Sequence, residues 1–78
     1  MIASTFPQSL QSEIDHLNKC LARPNHGYMI RRITSLQGKI NKLYSFAYKK
    51  EGKVQDYMIA KLDDLQNQLN SIVFALEG

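Results

Sequence analysis

The chain has 78 residues, ten Lys or Arg against seven Asp or Glu for a net charge of +3, and a single cysteine. That length supports one small domain, residues 1–78, whose core cannot spare poor packing, and Cys20 has no partner for an intrachain disulfide. No apolar run approaches the roughly 20 residues of a membrane span. Met1 to Phe6 lacks the basic start and apolar stretch of a secretory signal, and no lipidation motif stands at either end, so the expected compartment is the cytoplasm, with no membrane partner.

The first helix is expected near residues 6–22. Thr5 with Gln8 three residues later matches a capping box, and Pro7 suits a first helical turn. Leu10, Ile14, Leu17 and Leu21 recur at gaps of four and three, the signature of a helix that buries one stripe. Arg23-Pro24-Asn25-His26-Gly27 then breaks the pattern with a proline and two residues that accept left-handed backbone angles.

A second helix is expected over 28–50, where Met29, Ile33, Leu36, Ile40, Leu43 and Ala47 keep the same phase. Lys49 to Lys53 is free of apolar residues. Gly52 is the expected C-terminal cap, with the lysines set against the negative end of the helix dipole. The third helix, 54–76, carries Met58, Leu62, Leu65, Leu69, Ile72 and Leu76.

Two antiparallel helices joined by a tight turn pair residues whose numbers share a constant sum. For the second and third segments that sum is 105, which matches Met29 with Leu76, Ile33 with Ile72, Leu36 with Leu69, Ile40 with Leu65, Leu43 with Leu62 and Ala47 with Met58. For the first two segments it is 50, matching Leu21 with Met29, Leu17 with Ile33, Ile14 with Leu36 and Leu10 with Ile40. Every rank is apolar on both sides, and both midpoints fall in the breaks. The expected fold is therefore all-α: a small antiparallel three-helix bundle, built as a helical hairpin over 28–76 plus a shorter N-terminal helix. The competing arrangement joins the last two segments into one long dimerising helix, with the interval from Ala47 to Met58 absorbed as a stutter through Glu51 and Val54.

Ile30, Tyr44, Ile59 and Val73 widen the stripe by one position, as on helices that touch two neighbours. The first helix is expected to fill that groove, yet it is too short to cover more than about half of the second. Tyr44, Phe46, Tyr48, Val54 and Tyr57 would stay uncovered at the hairpin tip, and Phe74 points off the seam. Such a cluster reads as a face for a protein partner or a second copy, formed by Tyr44, Phe46, Tyr48, Tyr57 and Phe74. The plainer account folds Met1, Ile2 and Phe6 over it.

Charge is uneven. From His16 to Lys50 there are eight Lys or Arg and no acid, whereas residues 1–15 carry −2 and residues 51–78 carry −3. A basic middle helix beside an acidic third helix is first a recipe for correct pairing. The sharper alternative is a nucleic-acid face of Arg31, Arg32, Lys39 and Lys42, although no recognised nucleic-acid motif accompanies it.

Site chemistry is sparse. His16 and Cys20 share one side of the first helix, but even with His26 no fourth metal ligand follows, so they read as a solvated histidine and a small hydrophobe beside the seam. Ser12, Asp15 and His16 hold the residue types of a hydrolytic triad without its geometry. Asp63 and Asp64 read as solvated acids. Gly38 faces outward, where it is either simply tolerated or lets a partner helix approach against Arg31, Gly38 and Ser45, and the uncharged run Gln66, Asn67, Gln68 and Asn70 can hydrogen-bond across an interface or simply face solvent. No catalytic residue, metal, cofactor or small-molecule substrate is expected. The functional expectation is a non-catalytic protein–protein interaction module, a small helical adaptor, chaperone or regulator working as a homodimer, with a basic RNA- or DNA-binding bundle as the alternative.

Overall fold

A short polar side chain just before a helix can accept one of the backbone N–H groups that its first turn leaves unpaired, and Asn25 does this. Its backbone is extended, and its Oδ1 accepts the N–H of Tyr28 at 3.1 Å. In the computed structural model, which describes residues 8–77, the second helix therefore begins at His26. The helices are α1 Gln8–Cys20, α2 His26–Tyr48 and α3 Gly52–Glu77, with no strand among the described residues. The expected capping box at Thr5 and Pro7, and the covering role weighed for Met1, Ile2 and Phe6, lie outside those residues.

The second break differs from expectation in its chemistry. Gly52 does not cap α2. That helix ends at Tyr48, where the N–H groups of Lys49 and Lys50 tighten onto the carbonyls of Phe46 and Ala47 at 3.1 and 3.0 Å. Gly52 instead opens α3 with φ at +66°, a backbone angle at which a side chain would be strained.

The fold is an all-α three-helix bundle, and its core is the periodic stripe. Leu10, Ile14 and Leu17 of α1 are buried with Met29, Ile33, Leu36, Ile40 and Ala47 of α2 and Met58, Leu62, Leu65, Leu69 and Ile72 of α3. Leu43 and Leu76 pack against them at the edge. Two polar contacts mark the register of the hairpin: Gln37 meets Gln66, and Tyr44 meets Asp63. Their residue numbers sum to 103 and 107, either side of the 105 expected for the apolar ranks. The chain thus turns back between Tyr48 and Gly52, and the continuous-helix arrangement is not adopted.

The placement of α1 corrects the expectation. At 100° per residue, Gln37 and Tyr44 project to one flank of the α2–α3 seam together with Ile30, while Arg32 and Lys39 project to the other. Helix α1 occupies the second flank: Glu13 reaches Lys39 at 2.9 Å and Arg32 at 3.8 Å, and Gln11 reaches Gln68 of α3 at 2.8 Å. The widened stripe of Ile30, Tyr44, Ile59 and Val73 therefore lies on the flank away from α1. These residues stay half-buried, or in the case of Ile30 exposed. Helix α1 is about 19 Å long against about 34 Å for α2, so the tip of the hairpin extends past it.

Candidate functional site

Half-buried amides need partners, because an unpaired donor away from water costs about 1–3 kcal/mol. Two pairs of glutamines solve this by facing each other across helix interfaces. Gln37 Nε2 donates to Gln66 Oε1 at 2.6 Å, and Gln66 Nε2 returns a bond to Gln37 Oε1 at 2.8 Å. On the other flank Gln11 Nε2 donates to Gln68 Oε1 at 2.8 Å, and Gln68 Nε2 donates back at 3.2 Å. Each amide spends its second N–H four residues away on its own helix: Gln37 on Asn41, Gln66 on Asn70, Gln11 on Asp15 and Gln68 on Asp64. Gln66 and Gln68 thus tie α3 to α2 and to α1. Two members of the uncharged run read as an interface or solvent face are internal fasteners, and the spacing of each Gln four residues from an Asn or Asp was the available signal.

The aromatics read as a partner face are divided by the seam. Tyr44 and Tyr48 lie on the open flank, stacked with ring centroids 6.3 Å apart. Phe46 and Tyr57 project to the flank that α1 occupies lower down, each beneath a lysine: Lys50 Nζ is 4.5 Å from the Phe46 ring centre and Lys61 Nζ is 5.7 Å from that of Tyr57. Phe46, Tyr48, Val54 and Tyr57 are 48, 64, 56 and 55% exposed. They share the tip of the hairpin. Phe74, at 78%, stands near the opposite end of α3 and does not join them.

The basic residues also divide. Arg32 and Lys39 are engaged by Glu13, and Arg32 lies 5.9 Å from the Tyr28 ring centre. Arg31 and Lys42 fall on the outer back of α2 and make no ion pair among the described residues. The expected charge pairing between α2 and α3 is absent there too: the only acid that pairs with α2 is on α1. The tip holds Lys42, Lys49, Lys50, Lys53 and Lys61 against Glu51 and Asp56, a formal +3 equal to the net charge of the chain.

His16 is held rather than free. Its Nε2 lies 3.1 Å from the Tyr28 hydroxyl and 3.6 Å from Cys20 Sγ, with the Tyr28 ring edge-on to it. Cys20 is half-buried against the core. Among the described residues no three His, Cys, Asp or Glu side chains gather as metal ligands, and no helix is long and apolar enough to cross a membrane.

The Tyr44 phenol is strongly perturbed. Burial, then the hydrogen bond its hydroxyl donates to Asp63, then the negative charge of Asp63 and the neighbouring Tyr48, push its phenol from 10.0 up to about 12. A raised value favours the protonated form in the folded state. Stability from this contact is complete below the ordinary phenol value of 10.0 and is lost as pH rises through about 12.

Two outcomes follow from these contacts. Gln37→Ala strands the Gln66 amide and lowers stability by about 1–2 kcal/mol in urea unfolding, whereas the double change to leucine at Gln37 and Gln66 stays within about 0.5 kcal/mol of the parent. In an alkaline titration followed by tyrosinate absorbance, the Tyr44 phenol ionises near pH 12, well above the ordinary phenol value of 10.0, and Tyr44→Phe removes that step. Tyr44→Phe removes the corresponding loss of stability between pH 10 and 12.

No protein-family model matches the chain, and neither a curated protein nor a solved structure matches it.

Proposed function

We propose that the chain is a non-catalytic protein–protein interaction module, a small helical adaptor, chaperone or regulator that presents helix surfaces to a partner and works as a homodimer. The observation that carries the interaction with a partner is the exposure of Phe46, Tyr48, Val54 and Tyr57 together at the hairpin tip, beyond the reach of α1. Isolated apolar side chains are ordinary on a surface, but large aromatics gathered at one end of a small bundle are the composition of a docking face. The five lysines around them favour a partner that offers acidic side chains beside its apolar ones.

A second reading rests on the same charge. With Arg31 and Lys42 on the outer back of α2 and a +3 tip carrying exposed tyrosines, the bundle has the elements of a weak, sequence-indifferent contact with single-stranded nucleic acid. Engagement of Arg32 and Lys39 by Glu13 removes half of the cations first assigned to that role.

Light scattering is expected to return twice the 8.9 kDa of one chain, and a mass of 8.9 kDa at all concentrations overturns the homodimer. Titration with homopolymeric RNA separates the two readings. The interaction module binds it weakly at most, whereas binding that collapses steeply between low and moderate salt, and weakens on changing Arg31 or Lys42 to alanine, favours the nucleic-acid reading.

A further inference from the structure

The flank of the hairpin opposite α1 is a two-helix surface with no third helix on it. Along α2 it runs through Ile30, Thr34, Gln37, Asn41, Tyr44 and Tyr48, at alternating steps of four and three, so all six share one line. None carries charge. On α3 the facing line passes Ile59, Gln66, Asn70 and Val73. It has no lysine or arginine; Asp63 on it accepts the Tyr44 hydroxyl, and Glu77 ends it. In a chain with ten cations, a surface spanning most of both long helices has none. Loss of charge at the centre of a patch, with aromatic and aliphatic side chains kept, distinguishes interfaces from ordinary surface.

We propose that this flank is where two copies of the chain meet, back to back, so that α2 and α3 of each copy close a four-helix core with both α1 helices outside. The inference rests on the homodimer of the preceding section and assigns its contact surface. Charge selects the occupant. In a twofold contact each surface meets itself, so like charges repel. The tip sets five lysines against five, whereas the open flank brings no cations together and only two carboxylates per copy, Asp63, already bonded to the Tyr44 hydroxyl, and Glu77 at the end of α3. The amide layer supports the same pairing. Gln37 and Gln66 spend both amide hydrogens within the chain, and Asn41 and Asn70 accept from them. The Nδ2 groups of Asn41 and Asn70 donate to nothing among the described residues, and each glutamine Oε1 has a second lone pair, so a copy turned through 180° offers acceptors to these donors. The size is adequate. From Ile30 to Tyr48 the flank is about 27 Å long and about 20 Å across. A pair buries roughly 1,100 Å2, above the about 1,000 Å2 that a specific contact needs and under the about 1,200 Å2 at which stable interfaces begin, the size of a weak, concentration-dependent dimer.

The test compares molar mass by light scattering, with helicity by circular dichroism, for the unmodified chain and three variants: Ile30→Lys, Val73→Lys and the tip double variant Phe46→Ser/Tyr57→Ser. Ile30 is already 43% exposed, so its substitution leaves the fold of one copy intact even if Val73→Lys does not. The expected result is a dimer for the unmodified chain and the tip variant, and a shift of Ile30→Lys toward 8.9 kDa through a loss of at least about tenfold in self-affinity at unchanged helicity. A dimer that survives Ile30→Lys but dissociates in the tip variant overturns the assignment of the flank while leaving the homodimer in place. A monomeric unmodified chain overturns both.

Discussion

The antiparallel seam between α2 and α3 is the contact on which the rest of the molecule depends. Its ranks run from Met29 at one end to Met58 at the other, and most of the chain's fully buried side chains stand in it. A helix pair of this kind can slip by a turn at little cost in apolar area, because each rank resembles the next. What resists slippage is polar. A displacement by one turn breaks the reciprocal Gln37–Gln66 bonds and the Tyr44–Asp63 bond together. Area supplies most of the energy of the seam, and the two polar contacts supply its register.

The seam has two flanks, and which of them α1 takes decides which surface the protein shows. Apolar area does not discriminate strongly, since the widened stripe offers Ile30, Tyr44, Ile59 and Val73 on the side α1 leaves open. The polar contacts do. On its chosen flank Glu13 finds Lys39 and Arg32, and Gln11 finds Gln68; the other flank of α2 presents Thr34, Gln37 and Asn41 and no cation at all. Partly exposed ion pairs of this kind add at most about 1 kcal/mol each to stability. Their effect here is on choice of side, where a small difference between two otherwise similar packings suffices.

Charge and function separate accordingly. The cations of α2 that face a neighbour are engaged by Glu13, those on the outer back stay in solvent, and the excess sits among aromatics at the tip. One end of the bundle is therefore basic and apolar, and one flank carries no cation and mixes amides with Ile30, Tyr44, Ile59 and Val73. A single hairpin in this way presents two surfaces of different chemistry.

Much of this was legible in the order of residues. Strict alternation of four and three, broken at Asn25 and again near Gly52, marked three helices and the stripe that each of them buries, because those features depend only on helical periodicity. The sequence did not disclose that Gly52 opens α3 rather than closing α2, since both roles call for a residue that tolerates positive φ. Nor did it disclose the side on which α1 packs, the engagement of Arg32 and Lys39, or the fastening roles of Gln66 and Gln68. Periodicity is blind to the handedness with which a third helix joins a hairpin. That choice belongs to contacts between residues far apart in the chain, such as Glu13 with Lys39 and Gln11 with Gln68, and only the assembled bundle brings them within bonding distance.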